Sequence, residues 1–198
     1  EPDKAQPPAE PQVTAQPAAP VVDPVLEEIR RSLAEPAKGS VDRGDQAALV
    51  KFYAARKEAV WVGSGGWKAN AQHVITEIGK ADDWGLAASQ FEVPKHDAGA
   101  QPAALAGAEI RLSLAVLKYA RHARGSRVEP LQLSPNLDQK LVLREPGAVM
   151  EAIAATEKPG DYLQSLHPQH PQFKRLREAL LKARTGDTPP EPAAPAFV

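Results

Sequence analysis

His167 and His170, three apart in the segment LHPQHPQF, are a pair whose type and spacing could hold a metal ion. On an unbroken helix they would share one face. Pro168 and Pro171 interrupt any helix there, because proline has no amide donor and its ring clashes with the preceding turn. No third Asp, Glu or His lies close enough in sequence to complete a three-ligand set. The expectation is therefore no metal and no cofactor, with His170-Pro171 opening a last helix.

Arg121, His122, Arg124 and Arg127 form a second constellation, able to grip a carboxylate or phosphate through forked guanidinium donors. The same cations also suit a solvated helix end, where they complement the negative pole of the helix dipole. Trp67 joins them as a candidate binding residue, since an exposed indole can serve as a shelf for a glycan; Trp61 and Trp84 are assigned to the core. The stretch GSGGW at 63–67 lacks the glycine order of a phosphate-binding loop and reads as a turn. Arg43-Gly44-Asp45 spells an adhesion tripeptide, but it reads better as a loop meeting an Asp N-cap. The chain has no cysteine, which excludes a thiolate nucleophile, a disulfide framework and a Cys-ligated metal. No serine sits in a nucleophile elbow, so no catalytic residue is assigned.

These residues must be carried by a fold, and the composition says where it lies. Of the 20 prolines in 198 residues, seven fall in residues 1–24 and four in 189–195. Segments so rich in Pro and Ala, with few large apolar side chains, cannot offset their ordering entropy. Residues 1–23 and 186–198 therefore read as disordered linkers, and 24–185 as one helical domain. Net charge is −1, with 24 basic and 25 acidic side chains, so no overall field favours nucleic acid or anionic lipid. No stretch has the roughly 18 apolar residues of a membrane span. The chain starts at Glu1, followed by a run typical of the stretch between an export signal and the first fold.

The fold class is all-α, with about six to seven helices around one buried central helix. Asp23-Pro24 is an N-cap followed by proline at the first helical position, and Val25, Leu26, Ile29 and Leu33 follow at helical spacing. A second helix starts at Asp42 or Asp45 and carries Leu49, Phe52 and Tyr53, ahead of a short extended AVWV at 59–62. A third spans 69–84, where Gly85 and Leu86 suit a Schellman stop. The strongest helix covers 103–124 and is apolar nearly all round (Ile110, Leu112, Leu114, Val116, Leu117, Tyr119), so it should be central. Shorter helices near 146–156 and 159–166 precede the last, from Pro171 to Arg184.

Three blocks, in order, resemble the scaffold region at the N-terminal side of large bacterial murein L,D-transpeptidases. FYAARKEAVWV at 52–62, followed by a turn, a helix and DDWGL at 82–86, looks like its opening. EIRLSLAVLKYARHARGSRVEP at 109–130 is similar to the next block, a buried helix ending in an Arg-Gly turn, and LHPQHPQFKRLREALLK at 166–182 to the one after. The family's catalytic domain, with a Ser-His-Gly-Cys segment, and its peptidoglycan-binding domain are not in this sequence, so no catalytic residue carries over. At 88–91, Ala-Ser-Gln-Phe replaces the family's usual Pro, acidic residue and Tyr.

The resemblance implies a periplasmic protein of the bacterial cell envelope, acting in cell wall biogenesis. Its whole form would be a transferase cross-linking peptidoglycan through a cysteine thioester, and this chain alone would be non-catalytic. Expected partners are peptidoglycan or a catalytic domain of the same protein. The alternative is a stand-alone helical envelope module that binds a protein or peptidoglycan.

Overall fold

In the computed structural model, the described residues are 23–36, 42–63, 65–94, 101–127, 134–136 and 142–186. The expectation of disorder in the tails falls outside them. Among the described residues the chain is all-α apart from one small hairpin. Helix α1 (Pro24–Ala34) is capped by Asp23, whose carboxylate accepts the Val25 amide at 2.9 Å. Helix α2 (Arg43–Ala55) resolves the choice of start in favour of Asp42, which takes the Gly44 and Asp45 amides at 2.7 and 3.2 Å. The Arg-Gly-Asp tripeptide is thus the first turn of α2, and Asp45 is buried inside it.

Each of these two helices satisfies orphan carbonyls at the C-terminal end of the other. Gln46 of α2 donates to the Leu33 carbonyl at 3.0 Å, and Arg30 of α1 donates to the carbonyls of Tyr53 and Arg56 at 3.2 and 2.8 Å. The extended segment after α2 forms β1 (Val62–Gly63), paired antiparallel with β2 (Gly66–Trp67). Helix α3 (Ala69–Gly79) is shorter than its sequence pattern, because the last turn tightens into a 3₁₀ helix at Ala81–Trp84. Gly85 then adopts φ 73°, the Leu86 amide reaches the Ala81 carbonyl at 3.1 Å, and the Gly85 amide reaches Asp82 at 3.2 Å. That is the Schellman stop expected from the Gly-Leu pair.

Helix α4 (Pro102–Ala123) is central, packing against α1, α2, α3, β1 and the next helix. Leu112, Val116, Leu117 and Tyr119 are buried to 1 % exposure or less. Ile110 and Leu114 are only partly buried, so the helix keeps one face toward a cleft rather than being enclosed all round. Helix α5 (Pro146–Ala155) lies on α2, and α6 (Pro159–Ser165) lies on α3. The last helix, α7 (Pro171–Thr185), buries no residue fully and packs on the Ala81–Trp84 turn. His170 is its N-cap, with Nδ1 accepting the Gln172 amide at 3.2 Å, which is the role its sequence position suggested. Among the described residues no helix is long and apolar enough to cross a membrane.

Candidate functional site

Glu109, in the first half of α4, is fully buried and faces four donors. Its Oε1 accepts the Tyr53 hydroxyl at 2.7 Å and the Val60 amide at 2.6 Å; its Oε2 accepts the amides of Trp61 and Val62 at 2.8 and 3.0 Å. One turn on, Ser113 Oγ accepts the Trp61 indole N–H at 2.9 Å and shares a 2.8 Å bond with Tyr53. Burial pushes the Glu109 carboxyl above its ordinary range, against the pull of Tyr53 and the three amides. Burial likewise raises the Tyr53 phenol, with the Glu109 charge adding to it. One carboxylate thus fixes the extended segment 60–62 against the central helix.

A second cluster anchors α7. His167, 2 % exposed, shares a 2.8 Å bond between Nε2 and the Tyr119 hydroxyl. Its ring lies 4.3 Å from Trp84 at an 8° interplanar angle and 6.0 Å from Phe173 at 18°. The Arg177 guanidinium covers the Trp84 indole at 3.8 Å, and the Trp84 N–H donates to Glu77 at 3.1 Å. Burial, and the nearby Arg177 charge, lower the His167 pKa to about 4, so the ring is neutral at physiological pH. A ring closed off in this way serves packing rather than proton transfer. Trp84, assigned to the core from sequence, is half-buried instead, with its indole N–H on the buried Glu77 and its ring covered by the Arg177 guanidinium of the surface helix α7.

The basic residues at the end of α4 point to different tasks. Arg121 makes an ion pair with Asp45, whose carboxyl is pushed up by burial and drawn down by that guanidinium. Arg124 leans on the Val142 carbonyl at 3.4 Å, and Arg127 donates to the Gly85 carbonyl at 3.1 Å. The His122 ring sits 5.5 Å from Phe91, with its pKa lowered by burial and then by Lys118, Arg121 and Arg127. Trp67 is partly buried against the core at the end of β2. Arg124 and Arg127 remain exposed. Among the described residues no three His, Cys, Asp or Glu side chains gather where they could hold a metal.

Sequence reasoning missed Glu109, Asp45 and the His167–Tyr119 pair. The one signal for Glu109 was an acidic residue in an otherwise apolar helix face, Ala-Glu-Ile-Arg-Leu.

The described residues thus build a helical core pinned by two buried polar clusters, one around Glu109 and one around His167. The chain belongs to the Scaffold domain family, whose model matches residues 47–180, more than half of its length. No curated protein and no solved structure matches it.

Proposed function

We propose that this chain is the scaffold region of a murein L,D-transpeptidase, positioning a separate cysteine-dependent catalytic domain for peptidoglycan cross-linking in the periplasm. The observation that carries the reading is how the three resembling blocks are joined. Glu109, in the second block, holds the amides of 60–62 in the first. His167 and Arg177, in the third, hold Trp84 of the DDWGL turn. Sequence likeness spread over separate blocks gains weight when their polar side chains depend on one another.

Within this reading, Arg124 and Arg127 supply an exposed basic side toward peptidoglycan or the catalytic domain. Binding of that kind weakens as salt screens the charges. The test is the reading frame after Val198, followed by separate expression of what it encodes. A Ser-His-Gly-Cys domain that co-elutes with this chain on size exclusion supports the proposal. A frame with no such segment sinks it.

A further inference from the structure

Helix α7 differs from the other described α-helices in burying no residue fully, whereas α4 buries twelve. Its apolar positions Phe173, Leu180 and Leu181 are half-buried, and Leu176 is 70 % exposed. To the rest of the described residues it makes one hydrogen bond, from Arg184 to Asp83 at 2.7 Å. Those two side chains are 44 % and 38 % exposed, so water screens the pair and it holds little. The other specific contacts are the Arg177 guanidinium, 3.8 Å over the Trp84 ring, and the Phe173 ring, 6.0 Å from His167.

The surface beneath α7 is fastened without it. Trp84 donates its indole N–H to Glu77 at 3.1 Å, and His167 shares its 2.8 Å bond with Tyr119 of α4. The rings of Trp84 and His167 stack on each other at 4.3 Å. The turn that carries Trp84 is closed by the Leu86 amide on the Ala81 carbonyl. None of these bonds uses a residue of α7. Leu166 and His167 are buried, and then Pro168, Gln169 and His170 are all exposed before α7 begins. His170 caps α7 itself, through the Gln172 amide, so the cap belongs to the helix. The division between firmly and loosely held chain therefore falls at 168–170.

We propose that α7 is a strap that leaves the core as one unit, pivoting at 168–170, while the rest of the domain stays folded. A helix of fifteen residues is marginal in water without a packing partner, so the released strap unravels. Its release bares one face of the Trp84 ring, which Glu77 still holds in place. Arg127, exposed and bonded to the Gly85 carbonyl at 3.1 Å, lies beside that face. The strap thus switches the surface at 84–85 between a covered and an open aromatic face. This goes beyond the scaffold reading, which requires no moving part.

The test is native-state hydrogen exchange on the full chain, followed by NMR with low urea added stepwise. The amides of 176–181 should exchange on the order of a hundredfold faster than those of 112–119 and share one urea dependence, as a cooperative unit does. Arg177→Ala takes the cation off Trp84 and should lower α7 protection about threefold. Glu109→Gln weakens the core equally in the closed and open forms. It should therefore lower α4 protection about thirtyfold and leave α7 protection unchanged. The Leu86 amide should stay outside the α7 group. Equal protection in α7 and α4, a joint fall in Glu109→Gln, or Leu86 exchanging with α7 would each mean that α7 opens only with the structure beneath it, and would overturn the proposal. Scattered α7 rates that ignore urea would mean fraying residue by residue, and would overturn it as well.

Discussion

Glutamine at position 109 keeps the shape of the side chain and removes its charge, while alanine removes the acceptors altogether. In the native chain four donors converge on the two carboxylate oxygens, three of them backbone amides that cannot rotate away. With Glu109→Gln, the new NH₂ must face either the Trp61 and Val62 amides or the Val60 amide and the Tyr53 hydroxyl. The second orientation is cheaper, since the hydroxyl can turn and accept, leaving Val60 alone without a partner. An orphaned buried donor costs about 1–3 kcal/mol, so Glu109→Gln should lose about 2 kcal/mol. Glu109→Ala strands all four donors; with water entering the space and the carboxylate's burial cost relieved, a loss of about 4 kcal/mol is expected. For a chain of this size these translate to melting shifts of about 4–8 °C and 8–16 °C. The assay is calorimetry with urea unfolding at neutral pH, using Glu58→Gln as the surface control because the Glu58 side chain is 79 % exposed. Glu109→Gln melting within about 1 °C of wild type, no more than a neutral surface change, would refute the reasoning.

Arg121→Ala leaves Asp45 buried without its cation and should cost about 3–5 kcal/mol, against less than about 1 for Arg124→Ala, by urea unfolding. His167 has a folded pKa lowered to about 4. Its neutral form therefore favours the fold above the unfolded pKa near 6.5, and that contribution is lost as pH falls from there toward 4. Raised carboxyls at Asp45 and Glu109 work the opposite way. The His167 effect is accordingly read as the difference between wild type and His167→Phe, whose stabilities should converge as pH drops from 7 to 4; a constant gap would contradict it. Leu117→Asp should unfold the domain, while Leu114→Asp, on the cleft face, should cost only about 1 kcal/mol; circular dichroism melts separate the two. Gly85→Ala places a Cβ at φ 73° and should lower stability by about 1 kcal/mol or slightly more in the same melts.

Helix limits were legible because their signals are local. Asp23, Asp42, Gly85 and Pro171 each act within a few residues, through a side-chain cap, a left-handed turn or a fixed φ. Centrality of α4 followed from its apolar pattern, but its open side did not. Leu114 looks like Leu117 in sequence, and only the position of α2 decides which of them meets a cleft. The polar clusters were not legible for a related reason. Glu109 meets amides 47–49 residues away, and His167 meets a hydroxyl 48 residues away. A buried carboxylate leaves no local trace of the donors that make it tolerable. The basic run at 121–127 illustrates the converse: a compact pattern in sequence is distributed in space among an ion pair, two carbonyl contacts and a ring contact.

Acyl transfer between peptide stems needs a strong nucleophile, a base to activate it and donors for the developing oxyanion. This chain has no cysteine, and the serine buried among the described residues, Ser113, is bonded to the Trp61 indole and the Tyr53 hydroxyl. The proposed function requires that the chain hold rather than react, and intact-mass analysis after incubation with a carbapenem tests this, alongside turnover of tetrapeptide stems by the same preparation. An unmodified mass and no turnover are expected. A stoichiometric covalent adduct, or any turnover that follows the protein through purification, would contradict it.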